Sequence, residues 1–270
     1  MADLKLVIAE HRLHAHASAG WIADWLQAFF LTEETDPAMA KPEHLPLMPA
    51  MAVYLSEGGS PFDGSFQVYT GKTADGRLTF SRTDYHITVD PLFAEATLIV
   101  FDSFALKHAM MHLYSLYIVH LGWGLLIHSS CVIDQGRAFL FSGHSGAGKS
   151  TAARLSTPRQ LLSDEASIVR ITEGGVSVYD SPFRSELLSE RVSGCYPLAG
   201  VYLLNQSEEI TTRPIAGRDA YIRMLDKVFY WSYDGAETLK IMKLGKLLAE
   251  QVPFHELYFQ KNNLFWGKIS

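Results

Sequence analysis

Over the first hundred positions apolar and polar residues alternate in short runs, the pattern of half-buried β-strands. Asp3–Ala9, Ala52–Leu55, Phe66–Tyr69, Leu78–Arg82, Tyr85–Val89 and Thr97–Phe101 each read as a strand, punctuated by Gly58-Gly59, Asp63-Gly64 and Asp75-Gly76. Asp-Gly between alternating segments signals a hairpin, so this part is expected to be a mostly antiparallel β unit. One helix interrupts it. Ser18–Leu31 carries Trp21, Trp25 and Phe29 at intervals of four, the spacing of a helical face. Thr32–Pro49, rich in proline and acids, reads as a loop.

The pattern changes near position 103. No Asp, Glu, Lys or Arg occurs from His108 to Ile133, a stretch long enough to span a bilayer. Its histidines (His108, His112, His120, His128), its hydroxyls and the glycines Gly122 and Gly124 argue instead for soluble elements. They predict a buried helix over Ser103–His120, a Gly-Trp-Gly turn and a strand over Leu125–Ile133. Arg137–Ser142 follows as a strand, then a helix at Ser150–Leu155 and strands at Gln160–Ser163, Ala166–Ile171 and Val176–Tyr179. Val201–Asn205 and Ile210–Pro214 are expected to pair with each other. Asp219–Phe229 has helical spacing; Thr238–Glu250 and a strand at His255–Phe259 complete a mixed α and β remainder. The expected fold class is α/β, with a mostly β domain at 1–102 and a second domain at 103–270.

Composition narrows the function. A chain of 270 residues with 48% hydrophobic and 19% charged residues has core enough for two domains and is not disordered. A net charge of −6 argues against a nucleic-acid binder, which works by neutralising phosphates. The charge is uneven: residues 1–100 hold 6 Lys and Arg against 13 Asp and Glu, residues 101–270 hold 17 against 16. An acidic first part would attract a basic partner, an effect that salt weakens. Two cysteines, Cys131 and Cys195, supply neither a disulfide framework nor a four-thiolate zinc site, and read as small buried residues in a reducing compartment. The N-terminal residues lack a secretory pattern. A cytoplasmic protein without a membrane span is expected, and homo-oligomerisation stays open. His108 and His112 are one helical turn apart, but no third metal ligand is spaced nearby.

The chemistry is carried by Gly143-His144-Ser145-Gly146-Ala147-Gly148-Lys149-Ser150, which fits the phosphate-loop pattern G-x-x-x-x-G-K-[ST]. Glycines let successive backbone N–H groups turn toward phosphate oxygens. Lys149 is expected on the β- and γ-phosphates and the Ser150 hydroxyl on Mg²⁺; Gly143, Ser145, Gly146, Ala147, Gly148 and Thr151 complete the nucleotide contacts. The apolar run Ala138–Phe141 before the loop and the helix formers Thr151–Leu155 after it supply the strand–loop–helix context the motif requires. A metal-bound nucleotide also needs a carboxylate at a strand end, and Asp164-Glu165 stands fifteen residues after Lys149. Glu186 is a further metal candidate, and Arg184 and Arg213 are candidates for phosphate contact.

His128, the loop fifteen residues after it and the strand ending in the acid pair together resemble the catalytic domain of the HPr kinase/phosphorylase family. The fold of that family is similar to that of phosphoenolpyruvate carboxykinases. The resemblance covers residues 125–205 closely and the rest in outline. In the family a histidine opens the strand before the loop, where His128 stands, and two aspartates follow the loop's helix, where this chain has Asp164-Glu165. The segment from loop lysine to acids is slightly shorter here. The Arg-Gly-rich segment associated with phosphorylase activity is absent, replaced by Ser181-Pro182-Phe183-Arg184-Ser185-Glu186. Those departures look more like the HPr-kinase-related proteins of peptide-modification (lasso-type) gene clusters. The resemblance implies an ATP- and Mg²⁺-dependent kinase acting on a serine of a peptide or small protein. One of Asp164 and Glu165 would be the base, and His128 would orient the acids or steady charge. A nucleotide-dependent switch without transfer, and a kinase of free serine, remain as alternatives.

Overall fold

The computed structural model describes residues 2–35, 50–185, 187 and 190–269. Most of the expected 32–49 loop, and Glu186, lie outside the described residues. The chain divides into two compact units, Met1–His120 with Tyr230–Glu237, and Leu121–Phe229 with Thr238–Ser270.

In the first unit the chain runs β1 (Ala2–Ile8), β2 (His11–Ala17), α1 (Gly20–Phe29), β3 (Leu31–Thr32), β4 (Met51–Glu57), β5 (Tyr69–Lys72), β6 (Leu78–Arg82), β7 (Tyr85–Val89), β8 (Glu95–Val100) and α2 (Ser103–His120). The strands form one sheet in the order β3-β1-β2-β4-β8-β7-β6-β5. Its two ends are antiparallel as expected, but β2–β4 and β4–β8 are parallel, so the sheet is mixed. A parallel joint needs a crossover, and α1 lies between β2 and β4. Strand β2 is hard to read because His11, His14 and His16 disguise its alternation; His11, Leu13, Ala15 and Ala17 are nevertheless its buried face. In α1 the buried stripe is Ile22, Ala23 and Leu26, with Trp21, Trp25 and Phe29 half-buried beside it.

Helix α2 is buried from Ala109 to Val119 without a break, which accounts for the long charge-free stretch: a helix enclosed on all sides has no polar face. It packs on β7 and β8, and His112 lies tilted against Trp231 with ring centroids 3.7 Å apart. The first unit therefore takes in α2 and Tyr230–Glu237, beyond the boundary expected at residue 102. No helix among the described residues is long and apolar enough to cross a membrane.

The second unit contains β9 (Gly124–Asp134), β10 (Arg137–Ser142), α3 (Lys149–Leu155), β11 (Gln160–Ser163), β12 (Ala166–Thr172), β13 (Gly175–Tyr179), β14 (Cys195–Gln206), β15 (Thr211–Ile215), α4 (Gly217–Leu225), α5 (Gly235–Gln251, begun in the first unit), β16 (Phe254–Phe259) and α6 (Trp266–Ile269). The strand order is β10-β9-β12-β13-β14-β16-β15; β14 also pairs with β10 and β11 with β9. This is α/β architecture on a mixed sheet. β14 and β15 are not partners, contrary to expectation: β16 lies between them, parallel to β14 and antiparallel to β15. Phe139, Phe141, Tyr202, Leu257, Phe265 and Trp266 fill the core behind β10 and β14. Cys131 is buried as expected, but Cys195 is exposed.

The Gly-Trp-Gly turn has a steric reason. A Cβ on Gly124 would lie 2.1 Å from the backbone oxygen of Val169 on β12, and neither strand can yield without breaking the ladder. Gly124→Ala is expected to lower stability by about 1–3 kcal/mol or more, measured by urea unfolding. Gly174→Ala, whose Cβ would meet only Thr172 Oγ1 at 3.8 Å, is the control and should stay within about 0.5 kcal/mol of wild type.

Candidate functional site

The site is assembled by the middle of β9. On one side β10 pairs with it antiparallel, ending with Ser142 opposite Ser129. On the other side β11 and β12 run along it in succession, with Ser163 opposite Cys131 and Ala166 opposite His128. Asp164 and Glu165 fall in the gap, and Ser129 N–H donates to Glu165 O at 3.0 Å. The end of β10, Ser129 and the acid pair thus form one row across three strands, about 10 Å wide at the usual strand spacing. Where β10 has ended, residues 227–229 take its place: His128 N–H donates to Lys227 O at 2.7 Å and Phe229 N–H to Leu126 O at 2.9 Å.

Buried hydroxyls hold this junction. Ser129, Ser130, Ser142, Ser163 and Ser167 are fully buried. Ser142 Oγ donates to His128 O at 2.8 Å, Ser130 Oγ to Lys149 O at 2.8 Å, and Ser129 Oγ to Ser167 Oγ at 2.7 Å. Polar groups buried in this way must be paired, since each orphan costs about 1–3 kcal/mol. The serines tie β9 to β10, to α3 and to β12.

The glycine-rich loop leaves β10 and enters α3 through Gly148, whose φ is 106°, a left-handed value that favours glycine. A Cβ there would also lie 2.9 Å from Phe259 Cζ. Gln206, at the end of β14, donates its amide to Gly146 O at 2.9 Å and steadies the loop. Lys149, 8% exposed, donates Nζ to Gly143 O and His144 O, both at 3.2 Å.

A cavity of about 360 Å³ opens beside the loop, lined by His128, Ser145, Gly146, Gly148, Lys149, Ser150, Thr151, Arg154, Asp164, Glu165 and Ser185. The structure therefore brings His128, Lys149, Ser150 and both acids around one space. Ala147 turns its side chain into the core, and Gly143 faces a separate recess with His144, Asn205 and Lys227. The donor set suits a polyanion with a divalent cation: an ammonium bonded to neutral carbonyls, a hydroxyl at Ser150 and two carboxylates.

The two acids differ. Asp164 is 2% exposed, and its carboxylate accepts Ser185 N–H at 2.9 Å, Leu187 N–H at 2.8 Å and Ser185 Oγ–H at 3.3 Å. It is fixed in place by the segment that follows β13. Glu165 is half-buried, and its negative charge favours protonation of both Lys149 and His128. Burial, followed by the charge of Lys227, lowers the Lys149 pKa. His128 is pushed down to about 4 by burial first and by Lys149 next, with Lys227 adding to it and Glu165 opposing. It is a neutral imidazole at pH 7, and its ring lies 5.4 Å from that of Phe229.

Other candidates lie elsewhere. Arg184 forms a buried ion pair with Asp180, which also binds Arg191, and donates to Leu161 O at 3.3 Å; it braces the chain after β13 rather than meeting phosphate. Arg213 stands over the Tyr258 ring at 4.8 Å on β15, outside the cavity. His112 Nδ1 bonds the Tyr85 hydroxyl and His108 Nδ1 the Phe104 carbonyl, so the pair does not converge on a metal. Among the described residues no three His, Cys, Asp or Glu cluster as a metal site. Lys227, Gln206 and the buried serines were not visible as site residues in the sequence. They come from distant segments, and only the register of β9 and β14 brings them to the loop.

Fold and site define an α/β protein of two units, the second carrying a glycine-rich strand–loop–helix and an acid pair around one polar cavity. The chain belongs to the family described as SynChlorMet cassette protein ScmC, whose model matches residues 101–270, well over half of its length. No curated protein matches it.

Two outcomes test the site. Asparagine at 164 keeps one acceptor oxygen and puts an NH₂ where the other stood, stranding Ser185 N–H or Leu187 N–H. Asp164→Asn should therefore lose about 1–3 kcal/mol in thermal or urea unfolding, whereas Glu165→Gln should unfold close to wild type. His128 should titrate with a midpoint at about 4 instead of 6.5, followed through its ring proton signals with His128→Gln to assign them. Because the unfolded chain accepts that proton near pH 6.5 and the folded protein resists it, the stability linked to His128 is complete above pH 6.5. It drains away as pH falls toward 4.

Proposed function

We propose that the chain is an ATP-dependent phosphotransferase of the HPr-kinase-related kind, phosphorylating a serine hydroxyl on a peptide or small protein. The observation that carries this reading is the row across β9, which sets Lys149 and Ser150 of the glycine-rich loop and the Asp164-Glu165 pair around one cavity. The description of the family as a cassette protein is in keeping with the peptide-modification gene clusters named above. Mg²⁺-bound ATP supplies the transferable phosphoryl group when bound. Loop N–H groups and Lys149 would grip its phosphates, and Ser150 and Asp164 would hold the metal. Asp164 suits that task because Ser185 and Leu187 already fix its carboxylate, and an oriented ligand needs no reorganisation. Glu165 takes the proton of the incoming hydroxyl. Neutral His128, on the wall of the same cavity, would keep that carboxylate and the acceptor aligned.

Incubation of the purified protein with labelled ATP and Mg²⁺ tests the reading, with serine peptides of basic and acidic character, free serine and water as acceptors at low and high salt. Transfer to a peptide is expected, favouring basic sequences at low salt. Lys149→Ala should abolish transfer, and Glu165→Gln should lower kcat by about 10²-fold or more with ATP affinity retained. Transfer to free serine alone would move the chain to the small-molecule kinases. Nucleotide binding without any transfer would make it a switch, and undiminished turnover in Lys149→Ala would overturn the phosphate-loop assignment.

A further inference from the structure

Strand β14 pairs with β10 on the edge opposite β9, and β16 continues the sheet beyond it. β10, β14 and β16 are all parallel, so their carboxyl ends at Ser142, Gln206 and Phe259 share one margin of the sheet. The glycine-rich loop that follows β10 opens on the same margin. A recess of about 260 Å³ opens there, lined by Gly148, Thr151, Phe259 and the segments 206–208 and 260–261. The acid-pair cavity lies toward β9, and the two spaces share Gly148 and Thr151 as a common wall.

The two spaces differ in chemistry. The cavity by the acids is walled mostly by nitrogen and oxygen, the recess mostly by carbon. Phe259, 3% exposed and part of the core, lines the recess; because Gly148 has no Cβ, its backbone approaches the ring closely. Both surrounding loops are already set. Gln206 donates to Gly146 O at 2.9 Å, Gln260 donates to Glu208 O, and Ser207 N–H donates to Phe259 O at 3.1 Å. A single ligand filling both spaces has a polyanionic end and a flat, carbon-rich end with a few hydrogen-bonding groups, the profile of a nucleoside phosphate.

We infer that the recess between the loops after β14 and β16, lined by Phe259, Gln206, Ser207 and Lys261, takes the base and ribose of the nucleotide. The inference rests on the phosphate-loop reading above and assigns its nucleoside end. It makes residues 206–208 and 259–261 the part of the site that distinguishes a nucleotide from a bare polyphosphate.

Calorimetric titration of the full chain with ATP and with inorganic tripolyphosphate, both with Mg²⁺, tests it. Wild type should bind ATP about ten-fold or more tightly than tripolyphosphate, the scale of burying part of a base against a carbon-rich wall. Ser207→Trp, which fills the recess while keeping the backbone bond to Phe259, should remove that advantage and leave tripolyphosphate binding unchanged; Lys261→Ala should reduce it partly. Equal affinity of wild type for the two ligands would overturn the inference and leave the phosphate loop standing. So would an unaltered ATP affinity in a Ser207→Trp protein whose circular dichroism and melting match wild type. If wild type binds neither ligand, the phosphate-loop reading fails and the nucleoside recess with it.

Discussion

The backbone ladder of β9 at His128–Ser130 is the constraint on which the candidate site depends. Three segments far apart in sequence are hydrogen-bonded to these three residues: the end of β10, the strand break at Asp164-Glu165, and Lys227. Strand spacing is fixed by hydrogen-bond length, so the separation of loop and acid pair is set by the sheet and not by flexible connections. A slip of one residue would turn every side chain of β9 to the other face. The hydroxyl bonds from Ser129 to Ser167, Ser142 to His128 and Ser130 to Lys149 oppose such a slip, because each would leave a buried polar group unpaired.

The same packing sets the electrostatics. Taking Lys149 and His128 out of water disfavours their charged forms, and the neighbouring Lys227 acts in the same direction. Glu165 offsets part of this. The outcome is a pocket in which positive charge is held at a cost and an arriving anion relieves it. The lysine of the loop meanwhile rests on the carbonyls of Gly143 and His144, bonds that phosphate oxygens could replace with stronger, charge-assisted ones. Asp164 and Glu165 share the cavity, so the anion that suits it is one that brings a divalent cation.

What was legible in the sequence follows the range of the interactions. The glycine-rich loop, its flanking strand and helix, α2 and most strands are encoded by neighbours a few residues apart, through periodicity and turn residues, and were readable with boundaries close to those observed. Asp164-Glu165 was readable because a strand end follows directly from the apolar run Leu161-Leu162. Lys227, Gln206 and Phe259 were not, since their place depends on pairing across the sheet. The insertion of β16 between β14 and β15 reversed an expectation for the same reason: adjacency in sequence favoured a hairpin, but the parallel pairing of Val201–Gln206 with Phe254–Phe259 prevailed. Arg184 was misleading because a buried arginine paired with Asp180 looks, as sequence, no different from a phosphate ligand.

The boundary of the family and the boundary of the packed units do not coincide, and the difference has a physical meaning. The family model begins at residue 101 and so includes α2 and residues 230–237, yet both belong by packing to the first unit. Helix α2 is buried on the sheet by β7 and β8, and its His112 lies between Phe80, Tyr85 and Trp231. A chain cut at residue 101 would keep the helix and lose the strands that cover it, exposing an apolar surface with no charged residue after Lys107. The matched segment therefore marks a span of related sequence rather than an independently folding body. The core of the first unit is completed by residues that the family carries.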